Sequence, residues 1–137
     1  MANKTYAIEW LVKSRHDLEG AKLLCSSNHY TDTIGYVLHQ SLEKMLKSIL
    51  AYENKSILKT HNLVELYELL SDHISLDEEK IYLLSIATTY QTHQRYPVVQ
   101  KKLPDAEEIL QVLEFSQELF ENVCLSLNID KKQVNYL

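Results

Sequence analysis

The sequence predicts an all-α protein: an antiparallel up-and-down bundle of about five helices, three long and two shorter. Three observations carry that expectation. Apolar residues recur at steps of three and four along most of the chain, which is the pattern of helices with one buried face. Glycine and proline are scarce, two of each, where average usage would give roughly 16 in all, so a sheet-rich fold with many turns is disfavoured. The 137 residues, 45% apolar and 24% charged, suffice for one hydrophobic core without metal or disulfide staples.

The elements follow in order. From Tyr6 to Ser26, the positions Ala7, Leu11, Ser14, Leu18, Ala21 and Cys25 share one helical face. Ser27-Asn28-His29 interrupts, and a second helix runs from about Thr31 to Glu53. It carries Ile34, Leu38, Ser41, Met45 and Ile49 on one line and Leu42, Leu46 and Leu50 on a second beside it. A helix apolar over so wide an arc has to be covered on more than one side, which makes it the central helix. After Asn54-Lys55-Ser56, Asn62 and Glu65 have capping-box spacing and open a helix of two to three turns through Leu63, Leu66 and Leu70. Ser75 with Glu78 repeats the pattern and opens a fourth helix through Ile81, Leu84 and Ala87, which stops near Tyr96 because Pro97 disfavours helix at the residue before it. Asp105 with Glu108 caps a fifth, through Ile109, Val112, Ser116, Leu119, Val123 and Leu127. Residues 1–128 read as a single domain and 129–137 as a C-terminal tail, frayed after Asn128.

Composition also excludes functions. Gly20 and Gly35 stand alone, and without closely spaced glycines there is no P-loop or Rossmann phosphate cradle. Cys25 and Cys124 have no second cysteine at metal-ligand spacing and read as small core residues, and Met1-Ala2-Asn3-Lys4 leads into Glu9 and Lys13 instead of an apolar signal core. The expected compartment is a reducing cytoplasm. The stretch from Ile81 to Val99 is interrupted by threonines, glutamines, His93 and Arg95, so nothing resembles a membrane span of ~20 apolar residues. A net charge of −5 argues against broad, salt-driven nucleic-acid affinity and leaves room for a small basic cleft.

No two of the six histidines stand three or four residues apart. His39 and Glu43 are an i, i+4 pair, which alone is not a metal site, and no metal or cofactor is expected. No nucleophile signature is present, and no catalytic residue is assigned. Two segments exceed what packing asks for. Gln40, Glu43, Lys44 and Lys47 line one stripe of the central helix, with Glu43 and Lys47 in the favourable ion-pair order; the plain alternative is a solvated face. His93-Gln94-Arg95-Tyr96-Pro97 gathers an imidazole, a guanidinium and a phenol at a helix end whose exit proline fixes. Arg95 suits bidentate phosphate binding and equally suits a structural strut to Glu43.

At these residues the chain resembles the HEPN domain family, in its branch of small free-standing prokaryotic proteins. The matching pieces are Trp10-Leu11, Asp17 to Leu24, His29-Tyr30, Gln40 with Glu43-Lys44 and Leu46-Lys47, Lys59-Thr60-His61-Asn62-Leu63, and Arg95-Tyr96-Pro97. They keep the family's order over about 100 residues. The resemblance implies a compact helical homodimer with one of two activities. In many members the domain works beside a separately encoded minimal nucleotidyltransferase, often as a toxin–antitoxin pair, and handles nucleotide or substrate. In others it is a metal-independent ribonuclease with an arginine followed four to six residues later by a histidine. This chain departs from the second pattern. After four, five or six intervening residues from Arg95 stand Gln100, Lys101 and Lys102, and no histidine follows His93. Without that imidazole no evident group moves a proton near neutral pH, which disfavours the nuclease. The reading that results is a nucleotide- or nucleic-acid-binding module, with Arg95, Tyr96, Lys44 and Lys47 lining a dimer cleft and His93 left ambiguous. Gln40, Glu43, Thr60 and His61 are expected to be structural, His61 as a helix-capping element, with Pro97 holding the exit. A non-catalytic dimeric scaffold is the further alternative.

Overall fold

A computed structural model describes residues 2–70, 72–95 and 103–135, the side chains of 93–95 excepted. Six helices stand among them: α1 (Lys4–Ser26), α2 (Thr31–Tyr52), α3 (Leu63–Glu68), α4 (Glu78–Arg95), α5 (Ala106–Ser126) and α6 (Lys131–Asn135). The up-and-down order is visible in cross-helix pairs. Asn3 N–H donates to the Tyr52 carbonyl at 2.7 Å while Ser14 meets Ser41, so α1 and α2 run antiparallel. Lys80 meets Glu118 and Tyr90 meets Glu108, so α4 and α5 do too. No helix of the described residues is long and apolar enough to cross a membrane.

A chain with two glycines still has to end its helices, and asparagine does that work. Asn28, Asn54 and Asn128 follow α1, α2 and α5 at φ 54°, 56° and 54°, the left-handed conformation that Asn tolerates better than other side chains. Each closes the same pair of bonds. Asn28 N–H donates to the Cys25 carbonyl and His29 N–H to Leu24; Asn54 and Lys55 repeat this toward Ala51 and Leu50, and Asn128 and Ile129 toward Leu125 and Cys124. These are Schellman closures with asparagine in glycine's place.

α2 is the central helix, and both of its apolar lines are buried within the one chain. They therefore supply no surplus apolar face for a second copy. The serines in the apolar rows are explained by reciprocity: Ser14 Oγ donates to the Ser41 carbonyl at 2.8 Å and Ser41 Oγ to the Ser14 carbonyl at 2.9 Å. Each hydroxyl is satisfied across a crossing that larger residues would hold apart.

Four expectations are corrected. α4 is opened by Asp77, whose Oδ1 accepts from Lys80 N–H at 2.9 Å, and not by Ser75; a carboxylate at that position suits the helix dipole better. α3 is only six residues long, since Leu70 leaves the helix to join the core. Cys25 is half-buried, while Cys124 is buried as expected. Residues 129–135 are not frayed: they contain α6, held by Ile129 and Val134 in the core, which makes six helices among the described residues instead of about five.

Candidate functional site

Helical spacing puts Gln40, Glu43, Lys44 and Lys47 on one side of α2, and the fold then divides them. Lys44 reaches α1, its Nζ 2.6 Å from the Asp17 carboxylate. Glu43 and Lys47 turn to the flank crossed by residues 60–62. Glu43 Oε2 accepts from Lys47 Nζ at 3.0 Å, and Glu43 Oε1 accepts from His61 Nδ1 at 2.8 Å. The Glu43 side chain is only 9% exposed and that of Lys47 10%, whereas the His61 side chain is 54% exposed. Burial pushes the Glu43 carboxyl up, but the His61 and Lys47 hydrogen bonds outweigh it and hold the group below the usual carboxylate range. Gln40 is half-buried beside them.

One turn before Glu43, His39 is fully buried. Its Nε2 lies 2.8 Å from the His61 carbonyl, an acceptor only, so Nε2 carries the hydrogen. Among the described residues Nδ1 has no hydrogen-bond partner. Burial holds the His39 pKa below the ordinary imidazole value, against smaller upward pulls from the His61 carbonyl and Glu43. A protonated ring would have to donate from Nδ1 with no acceptor among the described residues.

The segment that brings His61 here is fixed on every side. Asn62 caps α3, its Oδ1 accepting from Val64 and Glu65 N–H at 3.1 Å each. Thr60 Oγ1 accepts from Asn62 N–H, and Leu63 N–H donates to Thr88 Oγ1 on α4. The capping role thus belongs to Asn62, as its spacing with Glu65 indicates, and the His61 ring is turned to Glu43. The run His39, Glu43, Lys47 at i, i+4, i+8 was the available sequence signal for this cluster. Nothing in the sequence announces the carbonyl of His61 as its fourth member.

Arg95 is the last described residue of α4. Its side chain and that of His93 lie outside the described residues, as do Tyr96 and Pro97 entirely. The backbone still places the helix end. Tyr90 lies against Gly35, and α4 runs antiparallel to α2, so Arg95 is about 7.5 Å beyond that contact and Glu43 about 12 Å from it the other way. Roughly 20 Å of bundle axis separates their backbones, and both Glu43 oxygens are already engaged. Lys44 and Lys47, expected as ligand cations, hold Asp17 and Glu43 in this chain.

Elsewhere, a groove of about 470 Å³ between α1, α5 and α6 carries Arg15 and Lys131 beside Glu19, Glu118 and Glu121, with Lys131 already paired to Glu121 at 2.7 Å. Among the described residues no group of three His, Cys, Asp or Glu side chains could hold a metal ion.

A family model for the HEPN domain matches residues 7–127. The fold is similar to that of the solved structure of TT1696 from Thermus thermophilus, with a TM-score of 0.75 and 20% identity over 88% of this chain and 97% of that one. It is also similar to ST0689, an archaeal HEPN homologue, with a TM-score of 0.67 and 16% identity over 88% and 97%. At such identities the likeness is one of fold. Among proteins of curated function, none matches the chain by sequence.

Proposed function

This chain belongs to the HEPN domain family, and on that premise we propose that it is a nucleotide- or nucleic-acid-binding module. It works as a homodimer in the cytoplasm beside a separately encoded minimal nucleotidyltransferase, in a toxin–antitoxin type pair, and Arg95 is its phosphate contact. Tyr96 supplies a stacking face, and His93 stands on the turn before Arg95. The observation that supports this is the state of Glu43. The carboxylate that would have made Arg95 a strut already holds Lys47 and His61, a helix length away from the end of α4. No particular observation favours the ribonuclease, whose histidine is missing after Arg95.

The test is calorimetric titration with mono- and trinucleotides, run beside thermal melts of wild type and Arg95→Ala. A charge-assisted contact is worth roughly 1.5–3 kcal/mol, so binding should weaken about tenfold to a hundredfold with little change in melting temperature. Unchanged binding in a destabilised variant assigns Arg95 to the fold and leaves the chain a partner-binding scaffold. Light scattering after gel filtration should give the mass of two chains, and reading the neighbouring open reading frame identifies the nucleotidyltransferase.

A further inference from the structure

We propose that the groove between α1, α5 and α6 binds a free α-amino acid with an apolar side chain, its carboxylate on Arg15 and its ammonium on Glu19. The site stands apart from the nucleotide reading and does not depend on it. Three carboxylates line the groove, and the fold has already engaged two of them. Glu118 holds Lys80 of α4 at 2.8 Å, and Glu121 holds Lys131 of α6 at 2.7 Å. Arg15 and Glu19 are left, neither with an ion-pair or hydrogen-bond partner among the described residues. They stand one turn apart on α1 but do not close on each other, and with the arginine first the order is the less favourable one for such a pair.

Arg15 is half-buried, so its guanidinium has given up part of its water with no carboxylate in return. Its planar fork matches a carboxylate bidentately. A ligand that brought only negative charge would meet Glu19 beside it, and one that brought only positive charge would meet Arg15. A zwitterion answers both. Gln117 on α5 is half-buried and Asn135 on α6 is exposed, and neither amide has a partner among the described residues. An amide donates to a carboxylate and accepts from an ammonium, so both suit the same two groups.

The walls set the size and the side chain. A groove of about 470 Å³ falls within the range of small-molecule sites. Its lining runs from Arg15 to Glu19 on α1 and from Gln117 to Glu121 on α5, about 6 Å of each helix. That length takes one residue and is too short for an extended segment of a partner chain. Leu18 and Phe120, both buried in the core, form its apolar lining, so an aliphatic side chain laid there leaves water while the charged groups face Arg15 and Glu19.

The experiment titrates the full chain with L-leucine by calorimetry, beside isocaproate, which lacks the ammonium, isoamylamine, which lacks the carboxylate, and L-aspartate, which lacks the apolar side chain. L-Leucine should saturate with a Kd below about 1 mM, and each comparator should bind at least about tenfold more weakly. Arg15→Gln and Glu19→Gln should each weaken L-leucine about tenfold or more. In wild type, which needs no folded variant, the ¹⁵N resonances of Arg15 Nε and of the Gln117 amide should move with L-leucine and stay still with isoamylamine. Absence of saturable binding, or isocaproate or isoamylamine binding as tightly as L-leucine, overturns the proposal. So does binding that leaves the Arg15 and Gln117 resonances unmoved or survives both substitutions unchanged.

Discussion

A Cβ built on Gly35 would lie 2.9 Å from Cγ of Tyr90 and 3.1 and 3.2 Å from the two ring carbons beside it. Tyr90 is 1% exposed, and its hydroxyl donates to Glu108 at 2.7 Å, so the ring has no free end to swing aside. This contact sets how closely α4 approaches the first turns of α2. Gly35 is thus required by its neighbour, although its own helix would prefer another residue.

Gly35→Ala should therefore destabilise the protein despite the better helix propensity of alanine. Forcing a methyl into a filled site costs typically 1–3 kcal/mol and the helix regains about 0.5–1, for a net loss of about 1–2 kcal/mol. Gly20 is the control. A Cβ there meets nothing within 4 Å, so Gly20→Ala should add about 0.5–1 kcal/mol. Urea denaturation of the two variants checks both signs.

Removing one partner of the buried pair should cost more than removing both. Glu43→Ala leaves Lys47, whose side chain is 10% exposed in the intact pair, with no carboxylate, at about 3–5 kcal/mol. The double variant Glu43→Leu with Lys47→Met should recover most of that loss. Equal stability of the single and double variants would show that the pair matters through packing alone.

Stability should fall on acidification in two stages. His39 is held below the ordinary value of 6.5 chiefly by burial, so below that pH the unfolded chain takes up a proton that the folded chain refuses, and unfolding is favoured. Glu43, held below 4.5 by His61 and Lys47 against its burial, adds a second loss in the same direction beneath that value. Melts from about pH 7.5 down to about pH 2.5 should show both. In His39→Gln, whose amide still donates to the His61 carbonyl, the first stage should vanish and the second remain.

The C-terminal helix should carry measurable stability. Val134 is 1% exposed, and Val134→Ala removes about two methylene equivalents at roughly 0.8 kcal/mol each, a loss of about 1–2 kcal/mol. A chain cut after Asn128 should lose more, because Ile129 leaves the core with it. A frayed tail would give no change in either case, and thermal melts distinguish the outcomes.

Local information was enough for the long helices and for the central place of α2. A repeat of three and four is a property of neighbouring residues, and Asn28, Asn54 and Asn128 end helices through bonds only three to five residues long. Asp105 and Asn62 could be read as caps for the same reason. Where the local signals competed, as with Ser75 and Asp77, the dipole-favoured carboxylate took the position.

Only the tertiary structure decided the rest. Lys44 and Lys47 are three residues apart on one helix and alike in type, yet one answers Asp17 across the α1 interface and the other Glu43 beneath residues 60–62. That division depends on which elements cover each flank of α2. The six residues of α3 and the five of α6 are too short to be stable helices in isolation; the core holds them through Leu63, Leu66 and Val134. His61 is the sharpest case. Its sequence neighbours mark it as part of a helix start, but its ring and carbonyl both serve α2, 18 and 22 residues away in sequence. The path from Glu53 to Asn62 has no periodicity to reveal that approach. The orientation of the imidazole is therefore a property of the folded chain, set by an acceptor-only carboxylate that packing places against it.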